Sequence, residues 1–90
     1  QFMISVEYTR RFLRDFSKLQ TALQEEVLEK IALFKERANH RGLRVHKLQG
    51  RFAGHWSFSV NYAYRIMFDF VGKRKDSVLL LVVGDHSIYD

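Results

Sequence analysis

The sequence predicts an α+β fold: an N-terminal strand, a two-helix hairpin, then three to four mainly antiparallel strands, with the helices on one face of the sheet. Three observations carry that prediction. Apolar residues alternate at period two up to Tyr8, recur at three-and-four spacing from Arg10 to Ala38, and return as short β-branched and aromatic runs from Val45 onward. A chain of 90 residues holds one compact core, burying only about 60–65% of its unfolded surface. Residues 1–90 are therefore read as one domain.

Phe2, Ile4, Val6 and Tyr8 alternate with Met3, Ser5 and Glu7, as in an opening strand with one apolar face. Thr9 can cap a helix over Arg10 to Leu19 that turns Phe12, Leu13, Phe16 and Leu19 inward and Arg10, Arg11, Arg14 and Lys18 outward. Thr21-x-x-Gln24 has the form of a capping box, and Leu23, Val27, Leu28, Ile31, Phe34 and Ala38 continue as one buried stripe of a longer helix. Asn39 to Gly42 is its stop, with Gly42 free to adopt a left-handed conformation. Strands follow at Val45 and Leu48, His55–Val60, Ala63–Val71 and Val78–Val83, with turns at Asn61-Tyr62 and Gly72–Asp76.

Composition narrows the functional classes. The chain is 47% hydrophobic and 28% charged, with no proline, as expected of a folded globular domain. Without cysteine it has neither a disulfide framework nor a thiolate metal site, which favours a cytoplasmic location. Its longest apolar run, Val78–Val83, has six residues, against the roughly 20 that a membrane helix needs. Gln1–Glu7 lacks the pattern of a secretion signal.

A formal charge of +5 makes polyanions the natural partners. Glu25, Glu26, Glu29 and Glu36 fall together, whereas Arg37, Arg41, Arg44, His46, Lys47 and Arg51 form a band without an acid before Asp69. One basic face is expected.

Two segments could carry chemistry. After Val83, Gly84-Asp85-His86-Ser87-Ile88-Tyr89 presents a histidine able to exchange protons near neutral pH and a tyrosine three residues later, in a turn that Asp85 and Ser87 can shape. Arg65 stands in an apolar strand, sharing a face with Met67 and Asp69 opposite Tyr64, Ile66, Phe68 and Phe70. A charge there calls for an anion: a carboxylate inside the protein, Asp69 or Glu7, or a phosphate outside it. His46, Lys47, Arg51 and His55 lie in a glycine-punctuated stretch suited to a phosphate backbone, while Arg41, Arg44 and Arg51 taken singly read as solvated charges. Trp56 and Phe58 are assigned to the core rather than to base stacking. His40, His46, His55 and His86 have no zinc-like spacing, and neither a P-loop nor a nucleophile elbow is present, so no metal or cofactor is expected.

Leu48-Gln49-Gly50, the Tyr64-Arg65-Ile66 strand and the Val83-to-Tyr89 ending together resemble the RelE/ParE superfamily of toxins from bacterial type II toxin–antitoxin modules, and the similarity covers almost the whole chain. The resemblance implies a RelE-like, microbial-ribonuclease-like fold. For the RelE/YafQ-like branch it implies a metal-independent endoribonuclease that cuts messenger RNA in the ribosomal A site. Arg65 then matches the strand arginine that stabilises phosphate charge, His86 the general acid, and Tyr89 the terminal aromatic that orients the nucleotide. His46 and Lys47 match the basic segment before Leu-x-Gly. His46 or His55 serves as base, His46 being the first choice, with Lys47, Arg51 and His55 as RNA contacts. The implied partners are a cognate antitoxin, messenger RNA on the ribosome, and ribosomal RNA, without a membrane. The alternative within the superfamily is a ParE-like gyrase inhibitor lacking nuclease activity, because one fold hosts both activities.

Overall fold

The helical and alternating patterns resolve, in a computed structural model that describes residues 3–89, into seven main elements. These are β1 (Ser5–Tyr8), α1 (Arg10–Ser17), α2 (Thr21–Phe34), β2 (His46–Lys47), β3 (Trp56–Ser59), β4 (Arg65–Val71) and β5 (Ser77–Gly84). Single 3₁₀ turns occur at Arg37–Asn39, Gly50–Phe52 and His86–Tyr89. Phe2, assigned above to the opening strand, lies outside the described residues. The five strands form one sheet in the order β1-β5-β4-β3-β2. β1 runs parallel to β5 and the other pairings are antiparallel. This is the expected α+β architecture.

Period-two alternation along β4 sorts the sheet into two faces. Ile66 and Phe68 are fully buried against the helices, with Phe70 packed on the same cluster. Phe34 of α2 is the hub: its ring stacks on Phe58 at 4.4 Å and on His40 at 4.6 Å, and meets Phe68 edge-on at 4.9 Å. Such pairs add about 0.5–1.5 kcal/mol each beyond area burial. Trp56 packs on this core, as predicted, with Phe70 edge-on at 5.0 Å.

Thr9 caps α1 as its position predicts, accepting from the Phe12 N–H at 3.0 Å, and its hydroxyl also donates to the Leu81 carbonyl of β5 at 2.9 Å. The capping box at Thr21 does not form. Gln20 is the cap residue of α2, and Gln24 donates at 2.9 Å to the carbonyl of Phe16 in α1, so the glutamine ties the hairpin together instead of capping one helix. Leu13 and Leu28, read as inward, are 52% and 53% exposed. Each sits beside the buried stripe of a helix whose core face is filled by Phe12 in α1 and by Val27, Ile31 and Phe34 in α2. Ala38 is exposed because α2 has already ended at Phe34.

Two further expectations fail for local reasons. Gly42 is not among the positive-φ glycines; Arg44 takes that conformation instead, with φ 58°. The strand expected from Ala63 starts at Arg65, because the Asn61 side-chain oxygen accepts from the N–H groups of both Ala63 and Tyr64, at 2.9 and 2.8 Å. That side chain substitutes for a strand partner and holds the segment as a turn.

Candidate active site

The sheet face turned away from the helices is built from short strands in register, and the pairing decides which side chains meet there. His46 of β2 faces Ser57 of β3, Ser59 of β3 faces Arg65 of β4, and Arg65 faces Gly84 of β5. The turn after Gly84 then carries His86 and Tyr89 over this end of the sheet. A cavity of about 300 Å³ results, lined by Arg44, His46, Leu48, Ser59, Arg65 and Tyr89. A second, of about 270 Å³, is lined by Gly42, Arg44, Ser59, Asn61, Tyr62 and Arg65. Arg44, Ser59 and Arg65 are common to both, and no carboxylate lines either one. Cationic, acid-free walls suit an anion.

Arg65 makes no ion pair with Asp69, Glu7 or any other carboxylate among the described residues. Its Nη1 donates to the backbone carbonyls of Asn61, Tyr62 and Tyr64, at 2.6, 3.2 and 3.1 Å. Carbonyl dipoles orient the guanidinium without neutralising it, so its charge stays available to a ligand. Asn61 is the anchor of that cradle. Besides the two bonds that shape the turn, its amide donates to Glu26 of α2 at 2.8 Å.

His46 Nδ1 lies 2.7 Å from the Arg44 carbonyl. A carbonyl only accepts, so Nδ1 carries the proton and Nε2 of the neutral ring keeps its lone pair. That tautomer is the one a general base requires. Tyr89 is fixed through Ser57, which is completely buried and whose hydroxyl lies 2.7 Å from the phenol oxygen. The Tyr89 carbonyl accepts from Arg51 at 3.5 Å, and its ring meets Phe52 edge-on at 6.0 Å.

His86 is exposed and lines neither cavity. It opens the same 3₁₀ turn that Tyr89 closes, and side chains three apart eclipse in such a turn. Asp85 holds the turn by accepting from the Ser87 hydroxyl at 2.6 Å and the Ser87 N–H at 2.9 Å. Those bonds, the hydroxyl's first, hold its carboxyl below the usual range.

The remaining sequence-predicted residues do not share the cavities. His55 Nδ1 lies 2.5 Å from the Asp69 carboxylate, so the acid considered as a partner for Arg65 is taken by a histidine. Lys47 is on the other face of β2, its ammonium 5.8 Å from the Trp56 ring centre, and Lys75 sits 5.4 Å from the same ring. His40 is structural: it stacks on Phe34 and bonds the Phe34 carbonyl at 2.7 Å, and burial lowers its pKa. No group of histidine and carboxylate side chains among the described residues is arranged to hold a metal ion.

Arg44 is the site residue that the sequence reading missed. Taken singly it reads as a solvated charge, yet it lines both cavities from a left-handed backbone that costs a non-glycine residue about 1–2 kcal/mol. Arg44, His46 and Leu48 all reach the same cavity, but Arg44 does so from the turn that precedes β2, so strand alternation gives no signal for it.

No protein-family model and no curated protein matches the sequence. Solved structures do match its fold. YafQ from Escherichia coli strain BL21(DE3) superposes with a TM-score of 0.75 at 14% identity, over 96% of this chain and 97% of that one. The toxin–antitoxin complex RelBE2 of Mycobacterium tuberculosis gives 0.63 at 23% identity, over 93% and 99%. The intact RelBE toxin–antitoxin complex of Escherichia coli gives 0.68 at 19% identity, over 91% and 95%. The chain shares its fold with these RelE and YafQ structures over more than nine-tenths of its length.

Proposed function

We propose that this chain is a RelE/YafQ-like toxin of a type II toxin–antitoxin module, an endoribonuclease that cuts messenger RNA in the ribosomal A site without a metal. One observation carries the reading: Arg65, His46 and Tyr89, chosen from sequence for phosphate and proton chemistry, meet in a single acid-free cavity.

The reaction uses the RNA's own nucleophile. His46 Nε2 accepts the proton of the 2′-hydroxyl, the 2′-oxygen forms a bond to phosphorus, and the bond from phosphorus to the 5′-oxygen breaks. The products are a 2′,3′-cyclic phosphate and a 5′-hydroxyl. Arg65, with Arg44 beside it, stabilises the charge that builds on the phosphate oxygens. Tyr89, held by Ser57, orients the sugar and phosphate. We assign the proton for the departing 5′-oxygen to His86, which must close over the rim when RNA is bound. Arg51, exposed beside Tyr89, contacts the backbone near the cut. Lys47 and the His55–Asp69 pair lie outside the cavities and serve RNA contacts away from the scissile bond.

An antitoxin partner follows from the same charges, which an acidic segment can cover as readily as RNA. Matching structures described as toxin–antitoxin complexes support this. We expect such a partner to block the cationic face and α2.

Primer extension on a defined message in a purified translation system tests the proposal. Cuts within the A-site codon should appear only with ribosomes. They should weaken about 10²–10³-fold in Arg65→Ala and by about 10² or more in His46→Ala and His86→Ala. Intact message from folded protein would refute the nuclease reading, and loss of gyrase supercoiling in the same preparation would replace it with the ParE-like one.

A further inference from the structure

Tyr62 is 94% exposed, more than any other large apolar side chain described, so its ring has no packing role in the fold. It nevertheless stands at the wall of the second cavity, beside Arg44 and Arg65. An aromatic face at the edge of a cationic groove is the arrangement on which nucleobases stack, and such stacking tolerates any base.

The two cavities differ in a way that assigns them roles. The first holds His46 and Tyr89, the groups able to handle protons and orient a sugar. The second has no histidine and no carboxylate in its lining. The polar atoms of Asn61 are already engaged: Oδ1 accepts from two backbone N–H groups and the amide donates to Glu26. With Arg44, Ser59 and Arg65 given to the phosphate, a base lying there is held by its face on Tyr62 rather than read at its edge. Arg44, Ser59 and Arg65 form the shared wall, where a single phosphate can lie between the cavities.

We infer that the Gly42–Asn61–Tyr62 cavity is a subsite for the nucleoside on the 3′ side of the scissile phosphate, with Tyr62 as the stacking partner of its base. The inference rests on the nuclease reading for its orientation. The 2′-hydroxyl belongs next to His46, which leaves the following nucleoside on the other side of Arg65. Because the contact is by stacking, purines should bind better than pyrimidines, with little discrimination within each class.

The test uses two probes of equal charge that cannot be cleaved: 2′-deoxyuridylyl-(3′→5′)-adenosine, and the methyl ester of 2′-deoxyuridine 3′-phosphate, which lacks the downstream nucleoside. Each is titrated into the full chain and followed by NMR. The dinucleotide should bind about 5- to 150-fold more tightly, the range expected for one stacked base. Tyr62→Ala should erase that advantage and leave the methyl ester's affinity unchanged, while Tyr62→Phe should retain it. Folding of Tyr62→Ala is not at risk, because exposed positions tolerate change within about 0.5 kcal/mol. Equal affinity for the two probes, no binding of the dinucleotide, or an advantage that survives Tyr62→Ala would overturn the subsite. A message that is cut normally beside any of those results leaves the nuclease reading standing alone. Tyr62-dependent binding with intact message would uphold Tyr62 as the base-stacking residue of this cavity and overturn the nuclease together with the 3′ orientation that rests on it.

Discussion

Removing the Asn61 side chain should damage the site by releasing Arg65 rather than by touching it. Asn61→Ala deletes the acceptor for the Ala63 and Tyr64 N–H groups and the donor to Glu26, at 2.9, 2.8 and 2.8 Å. Each such bond contributes about 0.5–1.5 kcal/mol, and the Ala63 bond, being exposed, lies at the low end. A total near 2 kcal/mol lowers the melting temperature by about 8–16 °C for a domain of this size. The second effect is catalytic. The three carbonyls that orient the Arg65 guanidinium belong to the turn that Asn61 holds, and a displacement of about 1 Å at a reacting centre can cost 10²-fold in rate. Calorimetry and message cleavage, measured below the new melting temperature, should therefore both respond. Glu26→Ala is the companion variant: it removes the Asn61 bond to α2 together with the surface ion pair to Lys30, leaves the turn intact, and should lose about 1 kcal/mol with cleavage close to wild type. If Asn61→Ala loses stability but cuts as fast as the wild type, the turn does not position Arg65 and the reasoning fails.

Ser57→Ala should lower cleavage through Tyr89, because the buried hydroxyl has the phenol as its partner; in a double-mutant cycle, Ser57→Ala should add almost nothing to Tyr89→Phe, and additive effects would separate the two residues. Gly84→Ala builds a Cβ into the Ile88 side chain, so it should cost about 1–3 kcal/mol and shift the turn carrying His86 and Tyr89; Ile88→Ala should restore activity, and a Gly84→Ala protein of wild-type stability and rate would count against the contact. Stability should also fall as pH drops. Burial lowers the folded pKa of His40 below its ordinary 6.5, so the unfolded chain binds the proton first. The contribution is complete above the unfolded pKa and is lost as pH falls towards the folded one. Urea unfolding between pH 7.5 and 5.5 should be less pH-dependent in His40→Gln, and an unchanged slope would assign the dependence elsewhere.

Where the site was legible in sequence, it was legible because strand alternation is rigid. Arg65 could be placed opposite Ile66 and Phe68 without a structure, whereas Arg44 reaches the cavity from a left-handed turn that alternation does not describe. Lys47 is the converse case: adjacent to His46 in sequence, it is sent to the Trp56 face by the same pleat. The misreadings at Thr21 and Ala63 share another origin. In each, a side chain bonds a backbone group other than the one its local pattern suggests, Gln24 the Phe16 carbonyl and Asn61 the Ala63 N–H, and propensity alone does not distinguish among such partners. His86 and Tyr89 illustrate the limit most clearly. Their separation along the chain was evident, but that Tyr89 lines the cavity and His86 does not follows from how the 3₁₀ turn folds back over the sheet, which spacing alone does not give.

The parallel pairing of β1 with β5 has a consequence for the birth of the protein. β1 precedes every other element described, and its hydrogen-bonding partner is the last strand, with Ser5 aligned to Ser77 and Tyr8 to Leu80. Until β5 emerges during synthesis, β1 has no neighbour and β4 lacks one of its two, so the sheet cannot close in vectorial order. Tyr89 comes later still. A nascent chain therefore carries Arg65 and His46 without the phenol that completes their cavity, so the candidate site cannot assemble until the 3₁₀ turn that ends at Tyr89 has been made.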